Sequence, residues 1–280
     1  AMGIAAVEDA GDMAGLSQAS PGSVQEFQVM FAARSSGWDP VGMHPDENSI
    51  RPSPFDERSI EDRILLAVGG LVAVDKPADL PSTGRKLDDP DCLQSALIEH
   101  FGQMVWAVHQ LDADTSGVNL FVREKGQVAY WKDRMAFPNG TKTYLALVHG
   151  RVKFEARRID AAIAVVSTSP HRQLGICEHG KRAVSEVRRL VLGHEASLVQ
   201  VQIETGRTHQ IRIHLASIGH PLLGEDWYAK SDPRAHHRQA LHAWRVEFAD
   251  DPEPRRIESP LPGDLRELMQ REGIVFPGES

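Results

Sequence analysis

Hydrophobic residues follow a regular pattern only from about residue 63 of the 280-residue chain. Residues 71–75 form an apolar run that stops at Lys76-Pro77, which is typical of a buried strand entering a loop. Five further segments have the pattern of strands: residues 117–122, 141–148, Val184–Leu192, 197–204 and Leu241–Phe248. The third and fourth of these are expected to pair antiparallel, because only a short connection separates them.

Helices are expected between these strands. The sequence pattern predicts two of them, over residues 91–101 and 127–135. A third is expected to begin at Thr208, whose hydroxyl can cap a helix, and to run through Ser217 before residues 219–221 stop it. Clustered strands with interspersed helices, and without a regular strand–helix–strand rhythm, indicate an α+β fold. We therefore predict a mixed, largely antiparallel central sheet with flanking helices.

The N-terminal part of the chain has a different character. Residues 25–31 alternate enough for a short strand, but four prolines between residues 40 and 54 break any regular pattern beyond it. We therefore predict two parts, an N-terminal extension over residues 1–62 and a folded domain over residues 63–280. The extension is expected either to lie along the domain or to be partly irregular.

Charge is distributed unevenly between these parts. The chain carries a formal net charge of −8, and residues 1–62 contain 11 acidic and 3 basic residues. Residues 250–280 contain 8 acidic and 4 basic residues, which leaves 20 acidic and 24 basic residues in between. Acidic ends thus flank a mildly basic body, so the net charge neither excludes nor establishes a nucleic-acid partner.

The cysteines and the apolar runs bear on location. Cys92 and Cys177 are far apart and fall in no metal-ligand spacing, and two cysteines provide no disulfide framework. This usage fits a reducing compartment. The sequence has no apolar run of membrane-spanning length and no basic-then-apolar order of a signal peptide at its start. We therefore expect a cytoplasmic protein that does not associate with membranes.

Two segments between and within the predicted strands carry candidate chemistry. Residues 109–117, His-Gln-Leu-Asp-Ala-Asp-Thr-Ser-Gly, form a tight polar connection that could be a plain surface turn. Leu111 argues against that alternative, because an apolar residue between His109 and Asp112 indicates a turn packed against the domain. Tyr144 lies in the strand over residues 141–148, where a core tyrosine with a satisfied hydroxyl is the alternative to a site residue.

A third segment, residues 205–224, concentrates arginine and histidine at a helix start. A solvated basic face is one interpretation. Arg212, however, stands between two isoleucines, which favours an inward-facing cation that requires a carboxylate partner. His209 and His214 are five residues apart and do not share a helix face as zinc ligands four apart would. We therefore predict no metal site.

Taken together, the three segments resemble the RluA-type family of pseudouridine synthases. The signature of that family around its catalytic aspartate is His-Arg-Leu-Asp-x-x-Thr-Ser-Gly, which residues 109–117 match everywhere except at Gln110. Lys142-x-Tyr144 is similar to the tyrosine motif of the family, and residues 206–224 to its third motif. The resemblance covers roughly residues 63–270. Some members add a small basic RNA-binding domain at the N-terminus, which the acidic extension does not resemble.

The resemblance implies a chemistry. Isomerising uridine within RNA requires cleavage of the N-glycosidic bond, rotation of the uracil and a new bond from C5 to the sugar. No electron or phosphate is transferred, so the resemblance implies neither a cofactor nor a metal. Asp112 would attack either C1′ of the sugar or C6 of the uracil, and the sequence leaves both open. Arg212 would pair with Asp112 and keep it charged, and Tyr144 would stack on the uracil and help to remove the C5 proton.

The same resemblance predicts substrate-binding residues and a partner. Leu241 would form the floor of the pocket. The expected substrate-binding residues are His109, Gln110, Thr115, Arg207, His209 and Leu241. The partner would be ribosomal or transfer RNA, and the target uridine must leave its stack to reach the site. The oligomeric state is not indicated.

Gln110 is the informative departure from the family pattern. The family arginine at this position reaches into the RNA, and glutamine lacks its charge and its stacking plane. Either the chain acts on a loosely structured uridine or another basic residue substitutes for the arginine. Two other functions stay open: an RNA-binding member without activity, and a nucleosidase that uses Asp112 and Asp114.

Overall fold

The structure is a computed structural model of the chain. It describes residues 58–86, 89–168, 172–229, 236–249 and 256–276. The strand predicted over residues 25–31 and nearly all of the predicted extension lie outside the described residues. The boundary between residues 62 and 63 therefore stays a prediction.

Twelve strands and four α-helices follow one another in the described residues. The strands are β1 (Ile64–Val68), β2 (Leu71–Lys76), β3 (Trp106–Ala107), β4 (Ser116–Val122), β5 (Gly140–His149), β6 (Ala156–Asp160), β7 (Ile163–Ser167), β8 (Gln173–Ile176), β9 (Val184–Leu192), β10 (Ala196–Ile203), β11 (Leu241–Phe248) and β12 (Arg256–Glu258). The helices are α1 (Leu93–Phe101), α2 (Val128–Met135), α3 (Gln210–Ser217) and α4 (Gly263–Arg271). A short 3₁₀ helix, Lys125–Gln127, leads into α2.

Ten of these strands form one sheet. Its order is β1-β2-β4-β11-β5-β10-β9-β6, with β3 beside β4 and β12 beside β11. Strands β4 and β11 run parallel, whereas the other pairs among the described strands are antiparallel. Strands β7 and β8 form a separate two-stranded ribbon. The predicted α+β fold with a mixed, largely antiparallel sheet is confirmed.

Both faces of the sheet are covered at its centre, and β5 shows how. Tyr144 and Ala146 pack on one face with Ile211 of α3, whereas Leu145 and Leu147 pack on the other face. There they meet Leu265 and Leu268 of α4. Because consecutive side chains of a strand point to opposite faces, a strand buried on both sides reads as a nearly continuous apolar run. Helix α4 and the site of Tyr144 therefore lie on opposite faces.

Gly117, the last residue of the His109–Gly117 signature, is required by the close approach of β4 and β11. Its φ is 114°, and a Cβ built there would lie 2.2 Å from the backbone oxygen of Ala243. No L side chain fits that space, and the backbone conformation is one that glycine adopts readily. The glycine thus lets the signature loop connect directly to a parallel pair at the centre of the sheet.

The predicted strands agree closely with the structure. From residue 63 onward, each is present with bounds shifted by at most one residue. The predicted cap of the third helix is wrong, because α3 begins at Gln210 and Thr208 does not cap it. Instead the Gln210 side chain turns back, and its Oε1 accepts hydrogen bonds from Arg207 N (3.1 Å) and Thr205 Oγ1 (2.7 Å). The elements that were not predicted are β1, β3, β6, β7, β8, β12 and α4.

The helices of this fold are short. The longest α-helices in the described parts of the chain, α1 and α4, have nine residues each. Spanning the hydrocarbon core of a bilayer requires about 20 residues of helix. Among the described residues, therefore, no helix has the length and apolar character to cross a membrane.

Candidate active site

A cavity of about 550 Å³ opens beside β5, between the signature loop and the start of α3. Its size lies within the usual range for small-molecule sites. Nine candidate residues from the sequence line it: His109, Gln110, Asp112, Thr115, Tyr144, Arg207, His209, Arg212 and Leu241. The structure thus brings together residues that are more than 130 positions apart in the chain.

The loop that carries Asp112 is held from beneath by three buried polar side chains. The Ser82 hydroxyl accepts a hydrogen bond from Leu111 N (2.9 Å), and Lys76 Nζ donates to Ala113 O (2.7 Å). Arg238 donates to Asp114 O (2.9 Å) and anchors itself on the carboxylate of Asp264 in α4. These bonds fix the backbone on both sides of Asp112, while its side chain stays 31% exposed. A carboxylate held in this way is positioned before a ligand arrives.

Lys76 is unusual in being fully buried. Its ammonium group donates to three backbone oxygens, of Pro77 (2.8 Å), Leu80 (2.6 Å) and Ala113 (2.7 Å). Burial and, secondarily, the charge of Arg238 lower the pKa of Lys76 to about 7. In its protonated form Lys76 has three N–H protons for these three acceptors, so the lysine serves as a positioning residue for the loop.

Arg212 has a carboxylate partner, as predicted, but the partner is not Asp112. Its guanidinium binds Glu225 through two hydrogen bonds, Nε to Oε2 (2.8 Å) and Nη2 to Oε1 (2.7 Å). The Glu225 side chain is 0% exposed, so without Arg212 it would be a buried, unpaired charge. Burial alone would lower the pKa of Arg212, but Glu225 and, more weakly, Asp112 outweigh that effect and raise it. Asp112 therefore influences Arg212 only at longer range.

His209 is the residue that faces Asp112, with 3.9 Å between Nε2 and Oδ1. It occupies a left-handed backbone conformation (φ 54°), which non-glycine residues rarely adopt. Its Nδ1 is hydrogen-bonded to the hydroxyl of Tyr228 (2.7 Å). Burial and the neighbouring Arg212 lower the pKa of His209, even though Asp112 opposes this. The imidazole is therefore mostly neutral at pH 7 and lies next to the aspartate without a full ion pair.

Tyr144 presents its ring to the cavity from β5 and is 8% exposed. Burial, together with the negative charge of Asp112, raises the pKa of Tyr144 well above its usual range. The phenol is consequently protonated at neutral pH. In this state it can stack on a flat ring or donate a hydrogen bond, whereas proton abstraction by a tyrosinate is disfavoured.

His109 belongs to the framework as well as to the cavity wall. Its Nε2 accepts a hydrogen bond from Leu120 N (3.2 Å), and its backbone oxygen accepts one from Asn119 Nδ2 (3.0 Å). Burial and the nearby Lys142 lower the pKa of His109 to about 3. The imidazole is therefore neutral and ties the signature loop to β4.

Several residues that build the site could not be assigned a role from the sequence. Glu225 and Tyr228 lie in an irregular segment after α3, and their contacts with Arg212 and His209 leave no periodic signal. Arg212 also lies over the rings of Tyr228 (5.3 Å) and Trp227 (5.7 Å). The residues in question are Lys76, Ser82, Glu225, Trp227, Tyr228 and Arg238.

One group of potential metal ligands lies elsewhere. In the described parts of the chain, ligand atoms of His236, His237 and Asp264 lie within 4.8 Å of one another. The same Asp264 carboxylate already binds the guanidinium of Arg238. Although burial acts in the other direction, the hydrogen bonds from His236 and Arg238 hold the pKa of Asp264 well below its usual range. This cluster is therefore explained as an anchor for Arg238.

The fold and the cavity together define a class: an α+β domain that holds one preorganised carboxylate beside an aromatic ring. The family described as RNA pseudouridylate synthase matches this chain over residues 70–217. Ribosomal large subunit pseudouridine synthase D of Nitrosomonas europaea is 35% identical over 226 residues, which are 74% of this chain and 64% of that protein. The dual-specificity RNA pseudouridine synthase RluA of Vibrio vulnificus is 33% identical over 194 residues, which are 66% of this chain and 76% of that protein.

A solved structure agrees with these relatives. Human RNA Pseudouridylate Synthase Domain Containing 1 superimposes with a TM-score of 0.59 and 27% identity, covering 76% of this chain and 94% of that one. The chain belongs to the family of RNA pseudouridine synthases. The resemblance to RluA-type enzymes and the predicted enzyme class, an isomerase that modifies RNA, are confirmed.

Proposed function

We propose that this protein isomerises specific uridines of ribosomal or transfer RNA to pseudouridine, with Asp112 as its catalytic carboxylate. The observation that carries this assignment is the position of Asp112. It lies in the cavity, is partly exposed, and has a backbone held by Ser82, Lys76 and Arg238. Asp114 is the other acidic residue of the signature, but it is not among the described residues that line the cavity, whereas Asp112 is. Burial and the neighbouring Asp79 raise the pKa of Asp114.

The reaction needs little beyond one carboxylate. The bond between C1′ and N1 breaks, the uracil rotates, and C5 bonds to C1′. The C5 proton leaves to solvent and N1 takes up a proton, so that the product is an isomer of the substrate. Asp112 acts by attack on C1′ or on C6, and both routes give the same net reaction. Neither route needs a bound group besides the side chains of the protein, so the proposal includes neither a cofactor nor a metal.

The other cavity residues have supporting roles in this proposal. Tyr144 stacks on the uracil as a neutral phenol, and Leu241 closes the cavity floor. Arg212 keeps the surroundings of Asp112 positive, although its direct partner is Glu225. The remaining substrate contacts are assigned to His109, Gln110, Thr115, Arg207 and His209.

Membership of the family implies that the substrate is RNA. Which kind of RNA it is, ribosomal or transfer, is part of the proposal. The Nitrosomonas relative is named for the large ribosomal subunit, which favours ribosomal RNA. We further propose that residues 63–280 form the catalytic domain, and that the acidic residues 1–62 are an extension distinct from a basic RNA-binding domain. The cytoplasmic location stays a prediction.

The experiment uses RNA transcripts carrying tritium at uracil C5. A pseudouridine synthase releases the label to water while the base stays in the RNA. A nucleosidase releases labelled free uracil, and an RNA-binding protein without activity releases nothing. Asp112→Asn should abolish tritium release while leaving folding and RNA binding largely intact. Residual turnover within about tenfold of wild type would remove Asp112 from the catalytic role.

A further inference from the structure

A second groove, of about 620 Å³, adjoins the active-site cavity. The two share Ala107, Gln110 and Lys132 in their walls, so they are direct neighbours on the surface. Four cations line this second groove: Arg85, Lys86, Lys125 and Lys132. We call it the basic groove.

The cations of the basic groove come from two separate elements. Arg85 and Lys86 follow Ser82 in the loop after β2, whereas Lys125 and Lys132 belong to the 3₁₀ turn and helix α2. All four side chains belong to exposed residues. The described residues that line the groove include no carboxylate. Asp89 and Glu124 are close by in the chain, but neither lines the groove.

The basic groove concentrates positive charge locally, within a body (residues 63–249) that carries 24 basic and 20 acidic residues. Four cations in a groove whose described lining residues include no carboxylate make a local positive potential that attracts a polyanion. Trp106, which also lines the groove, adds an aromatic face among the cations. Cations that follow a groove beside an aromatic ring suit a single-stranded nucleic acid.

Gln110 lies at the rim between the two cavities. Its side-chain amide donates a hydrogen bond to Thr83 Oγ1 (2.7 Å), on the loop that carries Arg85 and Lys86. Glutamine therefore braces the rim of the basic groove, and it brings no charge to the RNA. The positive charge near the target has to come from other residues, and the basic groove is adjacent.

We propose that the basic groove binds the RNA backbone on one side of the target uridine and supplies the cationic contact that Gln110 lacks. The inference rests on the proposed function, because it places the target base in the neighbouring cavity. Phosphates held by Lys86 and Lys125 would fix the strand while the base enters the site of Asp112 and Tyr144. Affinity from this groove would be electrostatic, independent of sequence and sensitive to salt.

The test measures binding of fluorescein-labelled oligouridylate by anisotropy over a series of KCl concentrations. Lys86→Gln/Lys125→Gln removes two cations that line the basic groove but not the active-site cavity. On a single strand, each lost phosphate contact reduces the slope of the logarithm of the binding constant against the logarithm of the KCl concentration by about 0.7 in magnitude. The slope of the double variant should therefore be smaller in magnitude by about 1.4. Lys86→Arg/Lys125→Arg should keep the wild-type slope.

Arg271→Gln is the matched control. It removes an exposed cation from α4, which packs on the face of the sheet opposite Tyr144. Its salt slope should equal that of the wild type. An unchanged slope in Lys86→Gln/Lys125→Gln, or an equal loss in Arg271→Gln, would overturn the basic groove as an RNA site. Failure of wild type to bind oligouridylate at low salt would overturn it too.

Turnover on C5-tritiated transcripts separates this inference from the proposed function. If the proposed function and the RNA-binding role of the basic groove are both correct, Lys86→Gln/Lys125→Gln raises KM several-fold. It changes kcat little, because the site of Asp112 is untouched. If wild type releases no tritium but the slopes differ as expected, the proposed function fails and the RNA-binding groove stands. If wild type is active and the double variant keeps both slope and KM, the groove is wrong while the enzyme assignment survives.

Discussion

Beside Asp112 the ion pair between Arg212 and Glu225 is buried, whereas the cations of the neighbouring basic groove are exposed. Arg212 is 5% exposed and its partner Glu225 is 0% exposed. Lys86 and Lys125, by contrast, lie in solvent. Removing one member of a buried ion pair leaves the other as an unpaired buried charge, which strongly lowers the free energy of unfolding. Exposed charges are screened by solvent, and each contributes little to it. We therefore expect single changes in the cavity to have large effects and single changes in the groove to have graded ones.

The largest effect on stability is expected from Arg212→Met. The variant leaves the Glu225 carboxylate buried without a cation, which costs about 3–5 kcal/mol of unfolding free energy. Chemical denaturation monitored by tryptophan fluorescence measures the loss. Arg158→Met is the matched control. Its arginine is 44% exposed, and its partner Glu204 keeps a second cation, Arg182, so the change should be far smaller.

A second variant separates stability from catalysis. Arg212→Met/Glu225→Leu removes both charges, so most of the lost stability should return, because an apolar pair can replace a buried ion pair. Tritium release should not return, since the cation near Asp112 is still missing. Recovery of activity together with stability would show that Arg212 is only structural.

The difference between the two regions also explains what could be predicted from the sequence. Leu145 and Leu147 alternate with Tyr144 and Ala146 on a strand buried on both faces, and that local pattern was sufficient to place β5. The motif residues at 109, 112, 144 and 212 were found because they recur in a family pattern. All of them line one cavity.

The partners of those residues could not be predicted in the same way. Arg212 was expected to bind Asp112, yet the structure pairs it with the fully buried carboxylate of Glu225. A sequence reveals that a buried arginine needs an anion, but tertiary packing decides which anion. Likewise Arg238 joins Asp114 to Asp264 across 124 and 26 residues of chain, and separations of that kind carry no local signal.

The next largest effect is expected at Tyr144, where a single oxygen atom is removed from the cavity. Tyr144→Phe keeps the ring and its stacking, worth roughly 1–3 kcal/mol per base, but loses the hydroxyl. We expect RNA to stay bound while turnover slows or stalls. Single-turnover tritium release, measured beside oligouridylate affinity, tests this, and wild-type turnover would show that only the ring matters.

The pKa of Tyr144 adds a pH dependence to this prediction. Burial and Asp112 raise that pKa above its usual value of about 10, so the phenol stays protonated below it. Activity of the wild type should therefore show no inflection from Tyr144 between about pH 7 and 10. An inflection in that range that disappears in Tyr144→Phe would contradict the neutral phenol and point to a tyrosinate base.

The smallest effect is expected at the rim that the cavity and the groove share. Gln110→Arg exchanges the hydrogen bond to Thr83 for a cation beside the basic groove. One added phosphate contact should steepen the log–log salt slope by about 0.7–0.9. An unchanged slope would mean that position 110 does not face the RNA backbone.

Turnover of Gln110→Arg then decides what the glutamine does, because affinity alone can rise through non-specific attraction. The measurement compares a structured transcript with an unstructured one, with Lys86→Gln/Lys125→Gln as a second background. If turnover rises on structured RNA, glutamine limits extrusion of the base, and the natural substrate is one that arrives unstacked. If only the slope rises, charge has been restored without helping extrusion, which also favours a loosely structured substrate. A larger gain in the variant background than in wild type would indicate that the groove cations already perform the role of the missing arginine.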